Sequence, residues 1–291
     1  MAAPVPPGSP LKIKKAALIE MRPDRPEVMN TPGSGPQVDI GIGVKFDCMV
    51  GAHNQARHLT TGLVTFAPSA VLERHRHAFS ESITVLKGRA LIDVEGRCYE
   101  VGPLDNVTIP FGLAHSVSNR SEMEPALFHI AMGSDRPTHA LVNRFFPKRT
   151  MPESTQTFPG GERVTYMAKV PRYSPGDSAS FVDYFNAALI PGLEMSGGHG
   201  LFQPRGRLPA HLHDFDESIC IVEGSATCIV EGRRYSMANL ATALQPRGRI
   251  HYFVNESSSP MAMIWVYAGP SPERIVVDEI RAVEPGFAWG A

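Results

Sequence analysis

The chain carries one set of ligand-type residues twice, in the same order and at the same spacing. His75, His77, Glu81 and Gly88 are followed by Pro110, Gly112, His115 and Asn119. His211, His213, Glu217 and Gly224 are followed by Pro246, Gly248, His251 and Asn255, each 136 residues after its counterpart. The tetrapeptide Val94-Glu95-Gly96-Arg97 returns as Val230 to Arg233, and Tyr99 returns as Tyr235. A repeat of this length, free of insertions, means two copies of one domain, each with its own site. Six of the 11 histidines fall inside it.

Turn residues divide each copy into short strands. Ser82 to Leu86 ends at Lys87-Gly88, Ala90 to Val94 ends at Glu95-Gly96, and Asn106 to Ile109 stops at Pro110. The second copy keeps the rhythm in Ser218 to Val222 and Ala226 to Val230, and each copy closes on an apolar strand, Ala126 to Met132 and Met261 to Tyr267. Gly or Pro after four to eight apolar or β-branched residues marks strand ends. The expected class is all-β, an antiparallel sandwich or jelly roll formed twice. The expected division is an N-terminal arm (1–40) with little structure of its own, a first domain (41–147), a connection (148–180) and a second domain with a C-terminal tail (181–291). Helix is expected only in the connection and in the tail, where Ser271-Pro272-Glu273 resembles a helix start.

Composition excludes several classes. A net charge of −1 gives no electrostatic reason to expect nucleic acid or an anionic membrane as partner. The short basic cluster from Lys12 to Lys15 reads as a solvated arm. No apolar run approaches the roughly 18 residues of a membrane span, and the N-terminus lacks the pattern of a secretory signal. The four cysteines show no disulfide spacing. The expected setting is the cytoplasm, with a small-molecule substrate and a homodimer through exposed sheet edges.

Strand geometry lets the repeated residues converge. Side chains two apart on a strand share a face, so His75 and His77 can point into one barrel, and His211 and His213 into the other. A short turn lets Glu81 or Glu217 re-enter on the adjoining strand, and the third histidine, His115 or His251, arrives 40 residues after the first. Three imidazoles and a carboxylate suit Fe(II), Mn(II), Ni(II), Cu(II) or Zn(II), and an octahedral ion would keep two positions open. The expectation is up to two divalent transition metals per chain, with Fe(II) favoured. The glycines read as turn residues with positive φ, and Asn119 and Asn255 as turn or supporting groups.

The pattern His-x-His-x3-Glu-x6-Gly, then Pro-x-Gly-x2-His-x3-Asn, resembles the paired motifs of the cupin superfamily, and both copies fit it. The resemblance covers about 45 residues of motif in each half. It implies a bicupin, two double-stranded β-helix barrels, with His75, His77, Glu81 and His115 as one metal set and His211, His213, Glu217 and His251 as the other. Cupins span dioxygenases, decarboxylases, lyases, isomerases and storage proteins, so the resemblance does not choose a reaction.

Alternation makes the closing strands candidate pocket walls, through either Phe128, Ile130 and Met132 or Leu127 and His129 in the first half, and Met261, Met263, Trp265 and Tyr267 in the second. His129, Phe202, Phe253, Met263, Trp265 and Tyr267 are the candidate substrate contacts; such a wall suits a largely apolar substrate. Glu81 and Glu217 are the candidate catalytic bases. Asp214 and Asp216 either raise the pKa of Glu217 or are turn residues, and the second set is expected to be catalytic. The first functional reading is an oxygenase cleaving a small organic, aromatic or enolic molecules among the candidates. The second is a non-oxidative Mn-type decarboxylase, lyase or isomerase, and the third a binding protein without turnover.

Overall fold

The structure is a computed structural model that describes residues 10–11, 21–176 and 178–277. Among these, the only helix is a three-residue 3-10 turn, Ala52–Asn54, and none is long and apolar enough to cross a membrane. All other regular structure is strand. The chain divides into two compact units: one takes in Pro32–Pro171 and Tyr184–Met195, the other the described residues up to Thr31, Arg172–Asp183 and those from Ser196 onward.

The first barrel consists of an eight-stranded and a six-stranded sheet. In the larger, Glu81–Lys87 lies between Asn106–Ile109 and Ala126–Met132, and Gln37–Gly41 forms the edge beside Val44–Val50. In the smaller, His115–Asn119 lies between Val71–Arg76 and Ala90–Val94. The inward faces enclose a core that includes Phe66, Ile83, Val85, Ile92, Tyr99, Val107 and Phe128. The second barrel repeats the plan: Glu217–Glu223 lies between Thr242–Gln245 and Met261–Tyr267, and His251–Val254 pairs with Ser225–Val230 and with His211–Leu212. Strands expected from the sequence at 90–94, 106–109, 126–132 and 261–267 are observed with those bounds.

Three regions differ from expectation. Residues 1–40 supply three strands: Pro10–Leu11 pairs with Arg274–Val276 and Val28–Asn30 with Thr242–Gln245 in the second barrel, and Gln37–Gly41 pairs with Val44–Val50 in the first. An open sheet edge needs partners for its N–H and C=O groups, and these Pro/Gly-punctuated segments supply them. The connection contains no helix among its described residues; it contributes short strands such as Arg163–Thr165, which pairs with Asn106–Ile109. The presumed helix start at Ser271 leads instead into strand Arg274–Val276, held by His211–Leu212. Lys12 to Lys15 and the tail after 277 lie outside the described residues.

Candidate metal centres

His75 is the penultimate residue of strand Val71–Arg76, His77 follows in the turn, Glu81 opens the next strand, and His115 opens a strand paired opposite His75. The second set is built the same way, with His211 paired opposite His251 and Glu217 opening its strand. In each set the four possible ligand atoms lie within 4.8 Å of one another. All eight residues are buried except His77, which is half-buried.

The backbone orients every imidazole. His75 Nδ1 donates to Glu73 O at 2.7 Å, His77 Nδ1 to Thr138 O at 2.7 Å, and His115 Nδ1 to Leu113 O at 3.0 Å. In the second barrel His211 Nδ1 donates to Pro209 O at 2.8 Å, His213 Nδ1 to Glu273 O at 2.6 Å, and His251 Nδ1 to Arg249 O at 2.9 Å. A carbonyl can only accept, so Nδ1 carries the proton and the Nε2 lone pair faces inward. Those lone pairs meet a carboxylate: Glu81 Oε2 lies 2.8 Å from His115 Nε2 and 3.5 Å from His77 Nε2. Glu217 Oε2 lies 2.7 Å from His251 Nε2 and 3.2 Å from His213 Nε2. Buried acceptors facing one another repel unless a cation lies among them, and His77 Nε2 and His213 Nε2 have no hydrogen-bond partner. A divalent ion would satisfy all four groups of a set at once, so the residues fit the metal that the motif implies.

Electrostatics agree. Burial pushes His75 down to about 4, assisted by His115, so it stays neutral and available as a ligand. Burial alone would raise Glu81 and Glu217, but hydrogen bonds and charge from the protonated forms of the neighbouring imidazoles outweigh it and hold both carboxyls well below the usual range. Glu81 in turn pushes His77 up against its burial, so a proton and a divalent ion compete for the same lone pairs. The reading in which Asp214 and Asp216 raise Glu217 therefore fails. Asp216 is buried and ion-paired with Arg25, while Asp214 is exposed and paired with Arg247.

The turn residues behave as expected. Gly88, Gly112, Gly224 and Gly248 all have positive φ. At Gly248 a Cβ would also stand 1.7 Å from Met21 O, so no other residue fits. Gly112 and Gly248 donate to His77 O and His213 O, tying each Pro-x-Gly turn to a ligand. Asn119 and Asn255 donate to loop carbonyls, Glu124 O and Ser259 O among them, and are not ligands.

The two sites differ in space. A cavity of about 390 Å³ opens onto His75, His77 and Glu81, whereas the one beside His211, Glu217 and His251 measures about 30 Å³. Phe128, Ile130 and Met132 line the first; His129, on the other face of that strand, lines neither and is a buried core residue whose Nε2 has no partner. Phe253, Met263, Trp265 and Tyr267 border the small second cavity, so they fill that barrel where open space was expected; Phe202 borders neither. The expectation of catalysis at the second set is thus at odds with where space lies. Sequence reading missed His139, whose ring is 5.5 Å from that of His75 and borders the large cavity. The repeat gives only a weak signal, since Pro137-Thr138-His139 is matched by Pro272-Glu273-Arg274 at an offset one residue short of the repeat and with only the proline shared, although Thr138 O and Glu273 O play the same part.

The family model for the cupin domain matches twice, over residues 62–132 and 198–267, one match on each metal set. The chain is a bicupin. No curated protein sequence matches it. Among solved structures the bicupin resembles the oxalate decarboxylase of Lactobacillus farciminis in complex with formate, with a TM-score of 0.67 and 15% identity, over 86% of this chain and 88% of that one. It is also similar to Bacillus subtilis oxalate decarboxylase, in a study of its Mn(II) centres (TM-score 0.66, 14% identity, 86% and 79% covered) and at pH 4.6 (0.64, 14%, 86% and 78%). Likeness at this identity establishes a shared fold. Each barrel of the bicupin presents a complete three-histidine, one-glutamate set for a divalent ion.

Proposed function

We propose that this bicupin is a metal-dependent enzyme whose reaction chamber is the first barrel, and that it is an oxygenase acting on a small organic molecule. The cavity of about 390 Å³ that opens onto His75, His77 and Glu81 carries this reading. It lies within the size range of small-molecule sites, whereas the second cavity holds little more than a water. The ion, when bound, supplies a Lewis acid and, as iron or manganese, a redox partner for dioxygen.

The chain's own groups supply the rest. His75, His77 and His115 turn Nε2 toward the ion position, each held by a backbone carbonyl at Nδ1. Glu81 is the only carboxylate bordering the cavity among the described residues, which makes it the local proton acceptor. Because its pKa is held low, it is a weak base. It therefore suits a substrate whose proton is already acidic, such as a phenol or an enol. The exposed His139 is placed to exchange protons between cavity and solvent. The apolar remainder of the wall excludes water.

The similarity of fold to oxalate decarboxylases favours a second reading, a non-oxidative Mn-type decarboxylase. The two separate in one experiment, with Fe(II)- or Mn(II)-loaded protein given phenols, diketones and carboxylates. Oxygen consumption supports an oxygenase, while carbon dioxide release under anaerobic conditions supports the second reading. Turnover that survives Glu81→Gln but is lost in Glu217→Gln, with metal retained in both, would move the chemistry to the second barrel.

A further inference from the structure

The two barrels share a strand register, so their inward positions can be compared directly. Met132 pairs opposite Glu81 as Tyr267 pairs opposite Glu217. Ile130 lies opposite Ile83 as Trp265 lies opposite Ile219, and Val117 lies opposite Ile92 as Phe253 lies opposite Cys228. At three matched positions the second barrel carries a ring where the first carries an aliphatic chain. The reverse exchange occurs once, Phe128 opposite Val85 against Met263 opposite Ile221. All three added rings border the cavity of about 30 Å³, against about 390 Å³ in the first barrel.

The space that the first barrel keeps is apolar. Away from the ligand set its wall includes Val64, Phe66, Leu72 and Phe128, with Val38 and Ile40 added from the edge strand Gln37–Gly41. No lysine or arginine borders it among the described residues, and its one acid is Glu81. An anionic group among these apolar side chains, away from the ion and from the exposed His139, would be buried without a counter-charge, which is strongly unfavourable. From this we infer that the first barrel selects molecules with one oxygen-donor end for the ion and an uncharged alkyl or aryl body, over compact dianions such as oxalate, which leave the apolar wall uncovered. The inference deepens the proposed function and rests on its metal-binding first site.

Alkyl hydroxamic acids test it, because they pair a fixed chelating head with a body of adjustable length. Dissociation constants of acetohydroxamic through octanohydroxamic acid and of oxalate are measured on the Ni(II)-loaded full chain, with metal content checked after each titration. Affinity should rise about fourfold per added methylene until the cavity is full, and oxalate should bind more weakly than acetohydroxamate. The length dependence should persist in His211→Ala/His213→Ala. It should vanish in Ile130→Trp/Met132→Tyr, which installs the rings of the second barrel, with the metal still bound. Val117→Phe is the milder alternative if circular dichroism shows that the double variant is misfolded. Equal binding across the series, tighter binding of oxalate, or no hydroxamate binding to metal-loaded protein would overturn the inference while leaving the metal site standing. Wild-type protein that keeps no metal after desalting would instead overturn the proposed function beneath it.

Discussion

Each ligand imidazole is held by one hydrogen bond from the nitrogen that faces away from the site, and this fixes what ligand substitutions should do. Replacing His211 and His213 by alanine should remove about one of two metal equivalents per chain, read by elemental analysis after desalting; loss of both would show that the sites are not independent. His129 offers a different test because it faces no charged partner that shifts it. Burial pushes it from 6.5 to about 4, so between those values the folded protein binds fewer protons than the unfolded chain. Stability must therefore fall as pH drops through that window, by about 3 kcal/mol at most for this one group. The difference in unfolding free energy between pH 7.5 and pH 5 should be smaller in His129→Leu than in wild type. An unchanged difference would show that His129 is not the neutral buried group described.

At the scale of elements, the repeat extends beyond the barrels into the segments that precede them. Glu162 stands just before strand Arg163–Thr165 and binds Arg97 and the Tyr99 hydroxyl, the latter at 2.6 Å. Glu27 stands just before strand Val28–Asn30 and binds Arg233 and the Tyr235 hydroxyl, at 2.6 and 2.8 Å. The partners Arg97 and Arg233, and Tyr99 and Tyr235, are repeat equivalents, so both barrels fasten their added strand with one device. Removing a carboxylate from a buried pair strands its partner. Glu162→Ala should cost about 3 kcal/mol, since Glu162 is wholly buried and its arginine nearly so. Glu27→Ala should cost less, about 1 to 2 kcal/mol, because Arg233 is 39% exposed and water can replace the contact. Urea denaturation of both variants checks the order; a larger loss in Glu27→Ala would contradict it.

Across the whole molecule the asymmetry of the barrels is the main consequence for behaviour. The second metal set is buried throughout and walled by Phe253, Trp265 and Tyr267, while the first opens onto a cavity through the half-buried His77. Metal release to an excess of chelator should therefore be biphasic, one equivalent leaving quickly and one slowly. The fast phase should disappear in His75→Ala/His77→Ala. Loss of the slow phase in that variant would reverse the assignment.

Much of this molecule was legible along the chain. Turn residues and alternating strands announced an all-β fold, and the identical spacing of His75, His77, Glu81 and His115 with His211, His213, Glu217 and His251 announced two barrels and two ligand sets. These are local signals, carried by residues near one another or by a repeat that needs no coordinates. Strands Val28–Asn30 and Gln37–Gly41 were not legible, because a short strand forms where a distant edge needs a partner and its own residues need show little pattern. The identity of the open barrel was not legible either. Aromatic residues at 253, 265 and 267 read equally well as the wall of a pocket or as its filling, and only the packing of side chains from several strands around one point separates the two. Register along the chain determined which atoms meet an ion; volume, a property of the folded interior alone, decided which of the two ions has room beside it for a substrate.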